Sequence, residues 1–451
     1  MNFFKKKNFF LIGIAGSGMS AIAQFLRFSG KEVYGSDRLF SIEPNSEIRR
    51  YFSSIGIKTY EQGKGQVHKA DVVVVSTAIE ASVYEYRQAK LYGIPIVHRS
   101  EILQDIAENY ISVAVAGTSG KSTTTAMLFH ILDRLDFKPS LITGSPLLSL
   151  QKKGLKGNAF YGKGKILVYE ADESDSSIIN YKPDVSVVLN IDKDHKEIEQ
   201  LQSLFKTFFK NTKRFKVKNA DDLHSHILFA DKTFGMSEKS DIRISDFNSN
   251  AFGIAFKLNG TLVRLDTIGF HNAMNSAAAA AVASYFDISM ADISASLSDF
   301  EGIDRRMHLI GTKNGKYVID DYAHNPAKIK AAIEAVEGLT EKKVIVFQPH
   351  GFMPLKFLFN ELVDVFSQSI KPEDILVILP VYYVGGTVRR EITSEDLVSI
   401  LKKKNKNVLF YSKQELYSNI DKLCRGNCTL LIMGARDPYL GEFARSLYEK
   451  I

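Results

Sequence analysis

The sequence predicts an α/β fold of three domains, and three observations carry that expectation. Short apolar, β-rich runs alternate with helical stretches, the rhythm of mostly parallel sheets covered by helices. Two of the strand-to-helix junctions are glycine loops, "GIAGSGMS" and "GTSGKS". The 451 residues are too many for one compact core, and domains of roughly 100–200 residues divide them into about two to four.

In chain order, "NFFLIGI" runs into "SGMSAIAQFLRFSG", and "KEVYGSD" and "ADVVVVSTA" follow. This series ends near Tyr110 and makes a first domain over 1–110. "ISVAVAG" opens a second, over 111–311, continued by "KILVYEADESD" and "PDVSVVLNIDKDH". Within it the span Arg214 to Leu265 is shorter-stepped and hairpin-like, with Asn259-Gly260 as a turn signal. "HNAMNSAAAAAVASYF" reads as a helix whose small side chains let its neighbours come close. A third domain, 312–451, starts after Gly311 with "KYVIDDYAHNP" and adds "KKVIVFQPH", "DILVILPVYY" and "CTLLIMGA". The run "LKKKNKN" reads as a solvated helix end.

Composition narrows the class. Hydrophobic content of 45% with 24% charged residues is ordinary for a globular protein. A net charge of +7 is mild over this length and suits an anionic metabolite better than a nucleic-acid surface. The start, "MNFFKKKNFFLIGIAGSGMSAIA", has a basic patch before an apolar segment, but Gly13, Gly16 and Gly18 interrupt it. No other run approaches the roughly 20 apolar residues that span a bilayer. The expectation is a cytoplasmic protein with a buried first strand and no membrane insertion. Cys424 and Cys428 lack a second Cys or His pair for zinc and read as ordinary thiols.

The stretch Gly117-Thr118-Ser119-Gly120-Lys121-Ser122-Thr123 joins a strand to a helix. The first N–H groups of a helix have no internal partner, and the macrodipole adds positive charge there. Glycine lets the backbone curl around a phosphate, Lys121 supplies a cation, and Ser122 offers an oxygen to magnesium. Val115 stands where the strict P-loop pattern has glycine, so the match is to the shorter G-T-x-G-K-S/T. The first loop spaces its glycines G-x-x-G-x-G, unlike the dinucleotide fingerprint. A nicotinamide oxidoreductase fails on that spacing and leaves "GTSGKS" unused. The loop can still cradle a pyrophosphate, and Asp37, after Ser36 at the end of the next strand, can meet a ribose.

The shorter variant resembles the Mur ligase family, the ATP-dependent amide-bond synthetases of cell-wall assembly. The likeness runs in the family's order through "GIAGSGMSAIA", "GTSGKSTTTAML", "EADESD", "NIDKDH", "HNAMN", "RRMHLIG", "DDYAHNP", "FQPH" and "MGARD". It implies a Rossmann-like N-terminal domain for a UDP-sugar and a central P-loop ATPase domain, with a mostly parallel sheet, for ATP and Mg2+. A Rossmann-like C-terminal domain would take the incoming amino acid. The implied reaction is stepwise: a carboxylate of a UDP-N-acetylmuramate-type nucleotide sugar attacks the γ-phosphate, and an amine then attacks the acyl phosphate. Such an enzyme serves peptidoglycan precursor synthesis. Monomer and homodimer both remain open.

Residue by residue, the resemblance assigns Lys121 to the γ-phosphate, and Ser122, Glu173 and His195 to metal. Glu170 and Asp172 alternate with Glu173, and Asp175 stands behind it. Asn272 and Asn275 match adenine-facing positions, and Arg306 the interdomain arginine that reaches the phosphates; Arg305 is expected at the surface or a hinge. Asp321 and His324 match the motif that closes over the nucleotide, and His350 ends "FQPH" on the substrate side. Gly16, Ser17, Gly18, Met19, Ser36, Asp37, Ser76 and Thr77 are the matching UDP-sugar positions. The chain departs from the alanine-adding branch at several places: Ser119 replaces a histidine, Ser122 a threonine, and Asn325 the second histidine of A-H-H-P. Gly351 and Pro354 stand where arginines clamp the acceptor's carboxylate, a geometry glycine cannot imitate. Lys356, Arg389, Arg390 and Arg436 are candidates for a relocated cation. L-alanine, another amino acid, or a peptide as in murein tripeptide recycling all fit as acceptor, and an inactive nucleotide-sugar-binding paralogue is the remaining alternative.

Overall fold

The computed structural model describes residues 2–193, 196–250, 253–383, 391–404 and 407–451. His195, Arg389 and Arg390, all named above, lie outside the described residues. The chain divides into two compact units. One comprises Met1–Ser245, Lys257–Val263 and Met274–Ile303; the other comprises Asp246–Phe256, Arg264–Ala273 and Asp304–Ile451.

The first unit opens with five strands, β1 (Asn8–Ile12), β2 (Glu32–Asp37), β3 (Lys58–Glu61), β4 (Val72–Val75) and β5 (Ile96–His98). They form a parallel sheet ordered β3-β2-β1-β4-β5. Phe9 to Ile12 and Val72 to Val74 are fully buried, because a parallel strand is covered on both faces and its sequence is continuously apolar.

Ten further strands make the second sheet: β6 (Ile111–Ala116), β7 (Ser140–Ile142), β8 (Ala159–Phe160), β9 (Ile166–Glu170), β10 (Val185–Val188), β11 (Phe215–Asn219), β12 (Lys232–Gly235), β13 (Ile242–Asn250), β14 (Gly253–Leu258) and β15 (Thr261–Leu265). Their order is β15-β14-β13-β12-β11-β10-β6-β9-β7-β8, and the last three strands in sequence are divided between the two units. Asn259 and Gly260, at φ 47° and 84°, make the tight left-handed turn that their identities suggest between β14 and β15.

The second unit is built on β16 (His308–Lys313), β17 (Lys316–Asp321), β18 (Lys342–Gln348), β19 (Ile375–Ile378), β20 (Val408–Phe410) and β21 (Cys428–Gly434), ordered β16-β17-β21-β18-β19-β20. Only β16 runs antiparallel to its neighbour. The wholly buried β21 is central, between β17 and β18. Cys424 and Cys428 are buried free thiols, and the described residues contain no helix long and apolar enough to cross a membrane.

Candidate active site

In the second sheet β6 lies between β9 and β10, with Val115 opposite Glu170 and Ala116 opposite Val188. The loops leaving these three carboxyl ends therefore converge, where ligands gather in parallel sheets. The loop after β6 is Gly117–Gly120, and its helix runs Lys121–Arg134. Gly120, at φ 84°, turns the chain into that helix; a Cβ there would lie 2.4 Å from Asn275 Oδ1. Thr124 N–H makes the first helical bond, to Gly120 O, so the amides of Lys121, Ser122 and Thr123 have no intrahelical acceptor.

Lys121 Nζ donates to Glu173 Oε2 at 2.7 Å and to Gly117 O at 2.6 Å. Burial opposes the ammonium's charge, yet Glu173 and Asp172 hold its pKa above the usual lysine range. Burial likewise pushes the Glu173 carboxyl up, against the pull of Lys121. Glu170 is held by a neighbouring loop: its Oε1 accepts from Thr143 Oγ1 and, at 2.7 Å, from Gly144 N.

Asn190, after β10, is a loop residue that sequence reasoning missed. Its Oδ1 accepts from Thr118 Oγ1 and Ser119 N, both at 2.8 Å, and its Nδ2 donates to Ser119 O at 3.1 Å. Thr118 and Ser119 are thus bound to Asn190, which shapes the loop. Asn190 opens the "NIDKDH" stretch, and that motif, two residues past a buried strand, was the signal that could have found it.

Fit to magnesium follows from donor chemistry. Glu173 contributes a buried carboxylate, and the Ser122 hydroxyl, 3.4 Å from that of Ser145, stands at the second residue of the helix that leaves the Gly117–Gly120 loop. Hard oxygen donors of this kind suit Mg2+, which takes one or two protein ligands and completes its shell with phosphate and water. Among the described residues no group of three or more His, Cys, Asp or Glu side chains could hold a metal by itself.

At the first glycine loop the backbone closes on itself, Gly16 N–H to Gly13 O at 3.2 Å, before the helix Ser17–Phe28. Asp37 does not project outward: Oδ2 accepts from Ala15 N and Oδ1 from Leu39 N, each at 2.9 Å. It braces the loop. Ser36 is fully buried with its hydroxyl unbonded, while its carbonyl takes the amides of Gly13 and Ile14. The Met19 side chain lies in the core, so only its backbone faces the loop. Gly16 and Ser17 are exposed, and Ser76 and Thr77 follow β4, the neighbour of β1.

In the second unit the register sets Asp321 opposite Met433 and Gln348 opposite Gly434, so the loops after β17, β21 and β18 meet. His324 and His350 come together there with ring centroids 4.9 Å apart. Asn325 caps the helix Pro326–Ala335, accepting from Lys328 N at 2.9 Å. Arg306 lies over the Tyr322 ring at 4.9 Å, its Nε buried without a hydrogen bond, between Arg305 and Met307 at φ 59° and 46°. Asp321 holds this turn from below: Oδ2 accepts from Met307 N and Oδ1 from Ala323 N, both at 2.7 Å. The expectation of a surface position for Arg305 is overturned. Its side chain is not at the surface, because it is 13% exposed and its guanidinium binds Asp320, Gly434 O and Asp437 O. Asn272, in the same unit, donates to Ile268 O at 2.8 Å, whereas Asn275 of the first unit accepts from Thr124 Oγ1 at 3.3 Å.

Burial pushes the Asp320 carboxyl up to about 6, and the Arg305 guanidinium opposes that rise. A carboxyl raised on folding contributes stability below its unfolded pKa and loses it as pH climbs through the folded value. Asp320→Asn removes this loss. The stability difference, variant minus parent, is therefore expected to move in the variant's favour by roughly 2 kcal/mol between pH 4 and 7 in denaturant titrations.

Comparison with known proteins agrees with this geometry. Residues 9–111 match the model of the Mur ligase family catalytic domain, 115–283 the Mur ligase middle domain, and 305–436 the Mur ligase glutamate ligase domain. The chain is 34% identical to a UDP-N-acetylmuramate–L-alanine ligase of Geobacter sp. (strain M21), over 94% of each chain. It is 32% identical to one of Desulfatibacillum aliphaticivorans, over 96% of this chain and 97% of that one. Among solved structures it resembles the UDP-N-acetylmuramate-alanine ligase of Thermotoga maritima, with TM-score 0.81, 27% identity and 99% of both chains covered. A murein peptide ligase of Psychrobacter arcticus shares the fold, with TM-score 0.70, 20% identity and 98% of both chains covered. With full-length relatives above 30% identity, and a lysine and carboxylate paired at its anion loop, the chain belongs to the Mur ligase family.

Proposed function

We propose that the protein joins the carboxylate of UDP-N-acetylmuramate to L-alanine at the expense of ATP. The observation that carries this reading is the Lys121–Glu173 pair at the mouth of the anion loop, 2.7 Å across. The names of the relatives that span the whole chain support the substrates. We assign 1–110 to the nucleotide sugar, 111–311 to ATP, and 312–451 to the amino acid, in the cytoplasm.

When a triphosphate enters the loop, Lys121 turns from Glu173 to the γ-phosphate, and the amides of Lys121, Ser122 and Thr123 bind phosphate oxygens. Glu173 and Ser122 would hold magnesium, whose chemistry there would be Lewis-acid polarisation of the phosphate. The muramoyl carboxylate attacks the γ-phosphorus and ADP leaves. The amine attacks the resulting acyl phosphate, loses a proton, and inorganic phosphate departs. The residues work by placement and charge neutralisation. Arg306 reaching the phosphates, Asn272 and Asn275 facing adenine, His195 as a second metal ligand, and His324 and His350 as substrate-binding residues belong to the same proposal.

Phosphate release from ATP is expected only when UDP-N-acetylmuramate and L-alanine are both present. Release indifferent to the amine, or none with any amino acid or peptide, overturns it. A second reading, a different amine acceptor, is favoured by Gly351 at φ 127° and by Pro354 within the helix Phe352–Phe357, which leave no guanidinium at either position. The same panel of amines decides between the two.

A further inference from the structure

Arg99 begins the helix Arg99–Ala107 directly after β5, and no motif singled it out. Its Nη2 donates to Asp172 Oδ2 at 2.9 Å and to Asp175 Oδ2 at 3.0 Å, the two carboxylates on either side of Glu173. Its Nη1 faces the other way, against the first glycine loop: a Cβ on Gly18 would lie 2.8 Å from it. One half-buried guanidinium thus lies between the first glycine loop and the 172–175 turn that carries Glu173. The chain of contacts continues from the 172–175 turn to Glu173, from Glu173 to Lys121, and from Lys121 to Gly117 O.

The surroundings keep this bridge in place. Gln24 Nε2 donates to Asn158 Oδ1 at 2.8 Å, and Asn158 Nδ2 donates to Ser17 O and Ser20 Oγ, both at 3.1 Å. These buried amides fasten the helix after the first loop to the second sheet. Asp172 also accepts from Ser174 N and Oγ, and Asp175 from Ser177 N, so the turn has a set shape for Arg99 to hold.

We propose that Arg99 is a positioning residue through which an anion in the Gly16–Gly18 loop orders the Asp172–Asp175 turn and so tightens nucleotide binding at Lys121. This rests on the reading above, with a nucleotide sugar in the first loop. A pyrophosphate beside Gly18 binds the Nη1 edge and fixes the guanidinium. The 172–175 turn is then held before ATP arrives, and ATP pays less ordering entropy. A lysine in this place keeps the charge but has no fork to span two carboxylates and a loop.

The test is calorimetry of a non-hydrolysable magnesium–ATP analogue, with and without UDP-N-acetylmuramate, on the full chain. In the parent the sugar nucleotide is expected to tighten analogue binding about fivefold or more. In Arg99→Lys the factor falls to about one, while analogue affinity without sugar changes less than about threefold. Asp175→Asn, which leaves Arg99 its bond to Asp172, is expected to lower the factor partway and covers the case of a variant that does not fold. A coupling factor unchanged in folded Arg99→Lys overturns the inference, as does a parent that binds both ligands independently. A parent that binds neither ligand instead sinks the functional reading itself.

Discussion

Lys121→Ala is expected to abolish coupled phosphate release, with kcat/KM down about 10^3-fold or more, because the site loses the one side-chain cation that touches its anion loop among the described residues. The same change strands Glu173, whose side chain is only 4% exposed, as a buried carboxylate without its partner. Removing one member of a buried pair costs about 3–5 kcal/mol. The sign of the pH dependence follows. Burial already pushes the Glu173 carboxyl up, and without Lys121 it rises further. The variant therefore regains stability as pH falls and protonates Glu173, and is least stable at alkaline pH. Lys121→Met with Glu173→Gln is expected to restore the unfolding midpoint and no activity, which separates the fold's need for the pair from the reaction's need for the cation. Retention of more than about a tenth of the parent rate in Lys121→Ala contradicts the assignment.

Asp321→Ala carries the second large effect. Both oxygens of this buried carboxylate accept backbone amides, from Met307 and Ala323. Each stranded donor costs about 1–3 kcal/mol, so a loss of roughly 2–6 kcal/mol is expected in denaturant unfolding. The Arg305–Met307 turn, with two residues at positive φ, persists only while its surroundings hold it. Arg306 is then released from its place over Tyr322, and activity is expected to fall at least about tenfold. Asp321→Asn keeps one acceptor oxygen and falls between parent and alanine. An Asp321→Ala protein with the parent's unfolding midpoint excludes this bracing role.

Much of the architecture is written in consecutive residues. Continuous apolar runs such as Val72–Val75 and Cys428–Gly434 can be buried on both faces only in parallel sheets, and each lies in one. The glycine-loop junctions were legible for the same reason: backbone curvature and an open helix N-terminus are properties of a few neighbouring residues. Strands of two or three residues, such as β5, β7, β8 and β20, were not, since so short a run shows no period. Lys121, Ser122 and Glu173 stood out within their motifs, and their convergence needed only the order β10-β6-β9.

By itself, then, the sequence determined the parallel α/β class, the two anion-shaped turns and the family. Tertiary structure alone decided which polar side chains face a ligand and which face the protein. Asn190 binds Thr118 across 72 positions, Arg99 binds Asp172 across 73, and Arg305 binds Gly434 across 129. The reason is physical. A backbone conformation is set by near neighbours in the chain, whereas a buried donor takes whichever acceptor the strand order brings beside it.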